Sequence, residues 1–135
     1  MRVFLDTNVL ASALATRGLC ADILREVIYS HELIVSGPLL AELHRILVRK
    51  FRVPEPLVDE MITFLQQDSI HAPAGDILHI RIKDKDDVVI LSSAIHGKTE
   101  VFVTGDKEVL SLGHAGRMHI LSPRAFWEKA RKSNA

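Results

Sequence analysis

Asp6, Glu42, Asp87 and Asp106 place carboxylates beside apolar runs that read as core. Asp6 ends Val3-Phe4-Leu5, and Asp106 follows Val101-Phe102-Val103-Thr104-Gly105. Asp87 opens the apolar run Val88 to Ile95, and Glu42 edges a stripe of Leu39, Leu43, Ile46 and Leu47. Carboxylates are rarely buried unless paired or bound to metal, because the lost hydration must be replaced. If the four converge, the simplest partner is a hard divalent cation, Mg2+ or Mn2+, and the simplest chemistry is at a phosphodiester. Without an ion the charges repel, and at least one carboxyl should hold a proton near neutral pH. Taken singly, Asp6 and Asp87 also read as helix caps, Glu42 as a solvated edge residue and Asp106 as a turn residue. The set as a whole, beside apolar segments, points to a shared site.

A chain of 135 residues suits one domain, 1–135, with a sizeable core, and 47% apolar residues argue against disorder. Lys plus Arg equals Asp plus Glu at 17 each, so no global field steers the protein to nucleic acid and any such binding must come from local patches. A single cysteine, Cys20, cannot form an internal disulfide and fits a reducing compartment as an inert buried thiol. No apolar run approaches the roughly 18 residues of a membrane helix. Asp6 and Asn8 interrupt the apolar start, so no leader peptide and a cytoplasmic location are expected.

Elements that would position the acids follow from pattern. Strands are expected at Val3–Leu5, Leu33–Val35, Val101–Val103 and Met118–Ile120, with a weak one at Ser69–His71. Helices are expected over Val9–Ala15, Ala21–Tyr29, Ser36-Gly37-Pro38 to Lys50, the Pro54-Glu55-Pro56 start to Gln67, Asp84–Gly97, Lys107–Leu112 and Ser122-Pro123 to Lys132. Ile77–Ile82 is ambiguous. Short apolar strands alternating with helices imply an α/β fold of three layers, α/β/α, around a central parallel sheet. In such sheets ligands bind outside the carboxyl ends of the strands. Asp6 and Asp106 sit there, and Glu42 and Asp87 lie in early turns of helices that can face the same end.

These residues carry a resemblance. Val3-Phe4-Leu5-Asp6-Thr7-Asn8-Val9-Leu10 looks like the opening signature of PIN-domain nucleases. Leu40-Ala41-Glu42-Leu43, Asp87 to Ile95, and Val101 to Asp106 resemble the segments carrying that family's second, third and fourth acids. The Thr-Gly-Asp form and the Asp84-Lys85-Asp86-Asp87 approach look most like a prokaryotic branch of VapC-like toxins of toxin–antitoxin systems. The resemblance implies a five-stranded parallel sheet and a Mg2+- or Mn2+-dependent ribonuclease acting on RNA. It also implies a homodimer and a cognate antitoxin whose segment covers the site. Asp6 and Asp87 would be the principal metal ligands, with Glu42 and Asp106 completing the cluster; Thr7, Asn8 and Thr104 would orient them or simply serve as turn and cap residues. Asp84 and Asp86 compete for the third position. Asp87 is preferred because Leu91 then lies one helical turn beyond it, and Asp86 is the alternative. Ser92-Ser93 departs from the small apolar residues commoner at that place.

Arg45, Arg49, Lys50 and Arg52 read as a solvated face or as a hold on RNA phosphates, whereas Arg124, Lys129, Arg131 and Lys132 read as solvated. None of the seven histidines shows zinc spacing, and His44 should point away from Glu42. Phe126 and Trp127 should pack on the sheet, and the Leu57/Val58/Met61/Ile62/Leu65 stripe reads as core or as an interface. The competing functional reading is a non-catalytic RNA- or protein-binding module on the same fold. A phosphoryl-transfer enzyme with Asp6 as nucleophile would want a second acid where Asn8 stands.

Overall fold

A computed structural model describes residues 1–133. Residues 134 and 135, the end of the single domain expected over 1–135, lie outside the described residues. The described residues form, in chain order, β1 (Arg2–Leu5), α1 (Thr7–Ala15), α2 (Leu19–Ser30), β2 (Glu32–Val35), α3 (Gly37–Arg49), α4 (Glu55–Gln67) and β3 (Ser69–His71). Then follow α5 (Lys85–His96), β4 (Val101–Val103), α6 (Lys107–Leu110), β5 (His114–Ala115), β6 (Met118–Leu121) and α7 (Pro123–Ser133).

The sheet order is β3-β2-β1-β4-β6-β5. β1 lies at the centre, with Phe4 opposite Ile34 of β2 on one side and Phe102 of β4 on the other, both in parallel register. Successive residues of a strand point to opposite faces, yet Val3, Phe4 and Leu5 are all buried, as are Leu33, Ile34 and Val35. Both faces of the sheet are therefore covered by helices, which is why these strands read as unbroken apolar runs. Phe4 stacks on Phe102 with centroids 5.2 Å apart.

The five expected parallel strands are present, and a sixth, β5, pairs antiparallel with β6. Its hairpin turns at Gly116, whose φ of +59° suits the first position of a two-residue turn. A two-residue strand carries no periodic signal, which is why β5 was not expected. Ile77–Ile82 forms neither helix nor strand. Leu78, Ile80 and Ile82 are half-buried while Ile77 is 67% exposed, and Ser92 Oγ accepts from the Leu78 amide at 2.8 Å.

Chain order puts the crevice at the centre. From β1 the chain moves to β2 and β3 on one side, then crosses to β4 and β6 on the other. The carboxyl ends of β1 and β4 thus flank the point where the winding reverses, the position at which open α/β sheets bind ligands.

Candidate active site

Each acid reaches that crevice for a local reason. Asp6 directly follows β1 and caps α1, and its amide donates to Val103 O at 2.9 Å, locking it to the end of β4. One carboxylate oxygen, Oδ1, accepts from the Thr7 amide at 2.8 Å; the other, Oδ2, accepts from the Thr104 hydroxyl at 2.7 Å. Thr104 is fully buried and also accepts from the Asp106 amide at 3.1 Å. One hydroxyl therefore ties the first acid to the backbone of the fourth. Asp106 caps α6, its Oδ1 accepting from the amides of Glu108 and Val109.

Glu42 sits in the second turn of α3, which leaves the carboxyl end of β2, and its side chain is 20% exposed. Helix α5 ends just before β4 begins, so its first turn must lie at the carboxyl end of the sheet. Asp87 occupies that turn and is half-buried, while Asp86 is exposed. Asp84 is the N-cap of α5, with Oδ1 accepting from the Asp86 amide at 2.9 Å. Of the three candidates for the third position, one caps the helix, one faces solvent and Asp87 faces the other acids.

Electrostatics record the convergence. Burial pushes the Asp87 carboxyl up to about 7, and the charges of Asp84, Asp6, Asp106 and Glu42 push in the same direction. Asp6 is also raised, first by burial and then by Glu42 and Asp106, against the lowering effect of its bonds from Thr104 and Thr7. Like charges held together in a crevice favour the neutral form of at least one member. The four acids are thus brought within each other's fields, and Asp84, a rival for the third position, joins them as a fifth charge on Asp87 while capping α5.

The donor set is all carboxylate oxygen, which suits a hard cation. Among the described residues, no three His, Cys, Asp or Glu side chains are gathered tightly enough to form a ready-made cage. An ion held there by one or two carboxylates would have to keep most of its waters, as Mg2+ commonly does. Thr7 Oγ1, next to Asp6 in the chain, is buried without a hydrogen-bond partner among the described residues.

Surrounding residues explain how α5 is set. Ser93 Oγ lies 2.7 Å from Ser36 Oγ, the cap of α3, and donates to Ile90 O, while Ser92 holds the 72–84 loop. The two serines that depart from the commoner apolar pattern are the clamps between α5, α3 and that loop. His44 turns to α4, with Nε2 3.4 Å from Asp59 and 3.8 Å from Glu55, away from the acids as expected. Cys20 is only partly buried, contrary to expectation, though burial still raises its thiol. Phe126 is buried against the ring of His31, whereas Trp127 is half-buried beneath Arg131.

A parallel sheet whose winding reverses at a cluster of carboxylates defines a class of α/β protein built around an acidic crevice. The family model described as PIN domain matches residues 2–108, a span that contains all four acids, and the chain belongs to the PIN-domain family. Among solved structures, the fold is similar to a chain in the crystal structure of VapBC2 from Rickettsia felis bound to a DNA fragment from their promoter. That likeness has a TM-score of 0.64 at 15% identity, covering 90% of this chain and 98% of the other. No curated protein matches the chain by sequence.

Proposed function

We propose that this PIN-domain protein is a divalent-metal-dependent endoribonuclease and the toxin of a toxin–antitoxin pair. The observation that carries the reading is the raised Asp87 carboxyl, which owes part of its shift to Asp6, Glu42 and Asp106, residues distant in sequence. A charge cluster of this kind stores repulsion that a cation would relieve.

Asp6 and Asp87 would hold the ion, with Glu42 and Asp106 completing the cluster, partly through water. Bound there, Mg2+ or Mn2+ would supply Lewis acidity at a phosphodiester and an acidified water. The chain's own residues fix the donors. Thr104 holds the Asp6 oxygen in place, the α6 amides hold Asp106, and the Ser36–Ser93 contact fixes the approach of α3 to α5. Support for the toxin assignment is the resemblance of the Thr104-Gly105-Asp106 and Asp84–Asp87 segments to that branch, together with the fold likeness to a VapBC2 chain. A cognate antitoxin, a homodimer and a cytoplasmic location belong to the same reading. No helix among the described residues is long and apolar enough to cross a membrane.

Incubation of the protein with total RNA and Mn2+, followed by mapping of new 5′ ends, tests this. Discrete cleavage sites that vanish on chelation are expected. Intact RNA in the presence of Mn2+, with no Mn2+ bound, would instead favour a binding module.

A further inference from the structure

Helix α3 carries more than Glu42. Residues 42, 45 and 49 fall three and four apart, so Glu42, Arg45 and Arg49 share one stripe of the helix. The Arg45 guanidinium lies 4.0 Å from Glu42 Oε2, so the stripe turns from acidic to basic within one turn of the crevice. Past the helix end, Lys50 Nζ reaches back to Asn8 Oδ1 at 3.3 Å, two residues beyond Asp6. The other flank of α3 differs: His44 faces Glu55 and Asp59 there. The cationic edge is therefore one-sided and begins at the acids.

Arg52 adds an independent observation. It adopts φ +54°, in the turn where Phe51 N donates to Ile46 O and Val53 N donates to Leu47 O. Left-handed backbone crowds any Cβ, and glycine takes it without that cost. An arginine holds this place, exposed, and among the described residues neither Arg49 nor Arg52 has a side-chain partner. A chain with 17 basic and 17 acidic residues has no overall attraction for a polyanion, so a local track is the available means.

We propose that Arg45, Arg49, Lys50 and Arg52 form a phosphate track that leads a single RNA strand out of the acidic crevice along α3. The inference rests on the ribonuclease reading, since that supplies the strand's other end. Phosphate contacts of this kind position a strand without reading its bases. The track residues are positioning residues: they act on the register of the scissile phosphate through the rest of the backbone.

The test uses the full chain in chelator, with a fluorescein-labelled single-stranded oligoribonucleotide, and measures Kd across a salt series. Arg49→Gln and Arg52→Gly should each weaken binding about three- to tenfold and flatten the log–log salt slope by about 0.7. Arg52→Gly should meanwhile raise the melting temperature, because glycine relieves the left-handed backbone, so lost binding cannot be ascribed to lost folding. Arg124→Gln, on α7, should change neither quantity. The track is overturned if the wild type binds no RNA, if both variants keep its affinity and slope, or if Arg124→Gln loses as much. Mn2+-dependent cleavage of the same oligonucleotide separates the two claims. Cleavage with track variants that bind normally sinks the track and spares the nuclease. Binding through the track without cleavage does the reverse.

Discussion

Asp87 shows how much one carboxyl can report. Its group titrates at 3.8 in an unperturbed chain and at about 7 here, so between those values the folded protein binds a proton that the unfolded chain has released. Metal-free stability must then fall as pH rises from about 4 to 7, and the loss is complete above 7. At about 1.36 kcal/mol per pH unit the whole shift is worth roughly 4 kcal/mol, and solvent around the half-buried group cuts this to on the order of 1–2 kcal/mol. Asp87→Asn should therefore be more stable than wild type by that amount in denaturant melts at pH 8 with chelator, with the gap closing towards pH 4. A gap independent of pH would mean that neither burial nor the other acids shift the Asp87 carboxyl. Thr104 makes the complementary point. Thr104→Val removes a buried hydroxyl that serves both Asp6 and the Asp106 amide, and should cost about 1–3 kcal/mol. Metal-dependent cleavage should drop at least about tenfold, since partners of metal ligands commonly matter that much, and Thr104→Ser should restore it. The acids themselves were legible because charge beside apolar runs is costly. The choice of Asp87 over Asp84 and Asp86 rested on Leu91 one helical turn beyond it; that Asp84 in particular would be the cap was hidden, because a run of acids does not reveal which of them starts the helix.

At the scale of elements, the strands of the parallel sheet were legible because burial on both faces leaves unbroken apolar runs. Helix starts were legible from Ser36, Asp84 and Pro38, whose chemistry satisfies or forgoes free amides. What was hidden depends on partners far away in sequence. Ser92 and Ser93 looked like a local departure and are inter-element clamps. Gly97 is another such place. A Cβ there would lie 2.7 Å from the Ile34 side chain and 3.0 Å from Ala72, while its carbonyl accepts from the Arg2 guanidinium. Gly97→Ala should force α5 off β2 and cost about 1–3 kcal/mol of unfolding free energy. Unchanged stability would show that α5 has slack at its end, and that Asp87 at its start is less firmly placed. Ser93→Ala should cost about 1 kcal/mol by loss of the Ser36 contact and lower cleavage by loosening α3 against α5.

At the scale of the molecule, the strand order unites these parts: winding that reverses beside β1 brings Asp6 and Asp106 side by side, and the helices leaving and entering that end deliver Glu42 and Asp87. The α4 stripe, read as core or as interface, is core only in part. Val58 and Leu65 are buried, while Leu57 and Phe64, seven residues apart on one face, are 43% and 47% exposed. A homodimer using that face predicts that Phe64→Ser shifts the protein to monomer in light scattering, with its helical spectrum retained. An unchanged mass would remove α4 from the interface. In the proposed nuclease the carboxylates act together on RNA through a bound divalent cation. The most direct measurement is Mn2+-dependent cleavage of a labelled RNA by wild type, Asp6→Asn and Asp87→Asn, each checked for a native thermal melt. Wild type should cut and both folded variants should lose cutting by a factor of at least about 100, as expected when a ligand of the reacting ion is neutralised. Cleavage that persists in both variants, or in wild type after chelation, would contradict it.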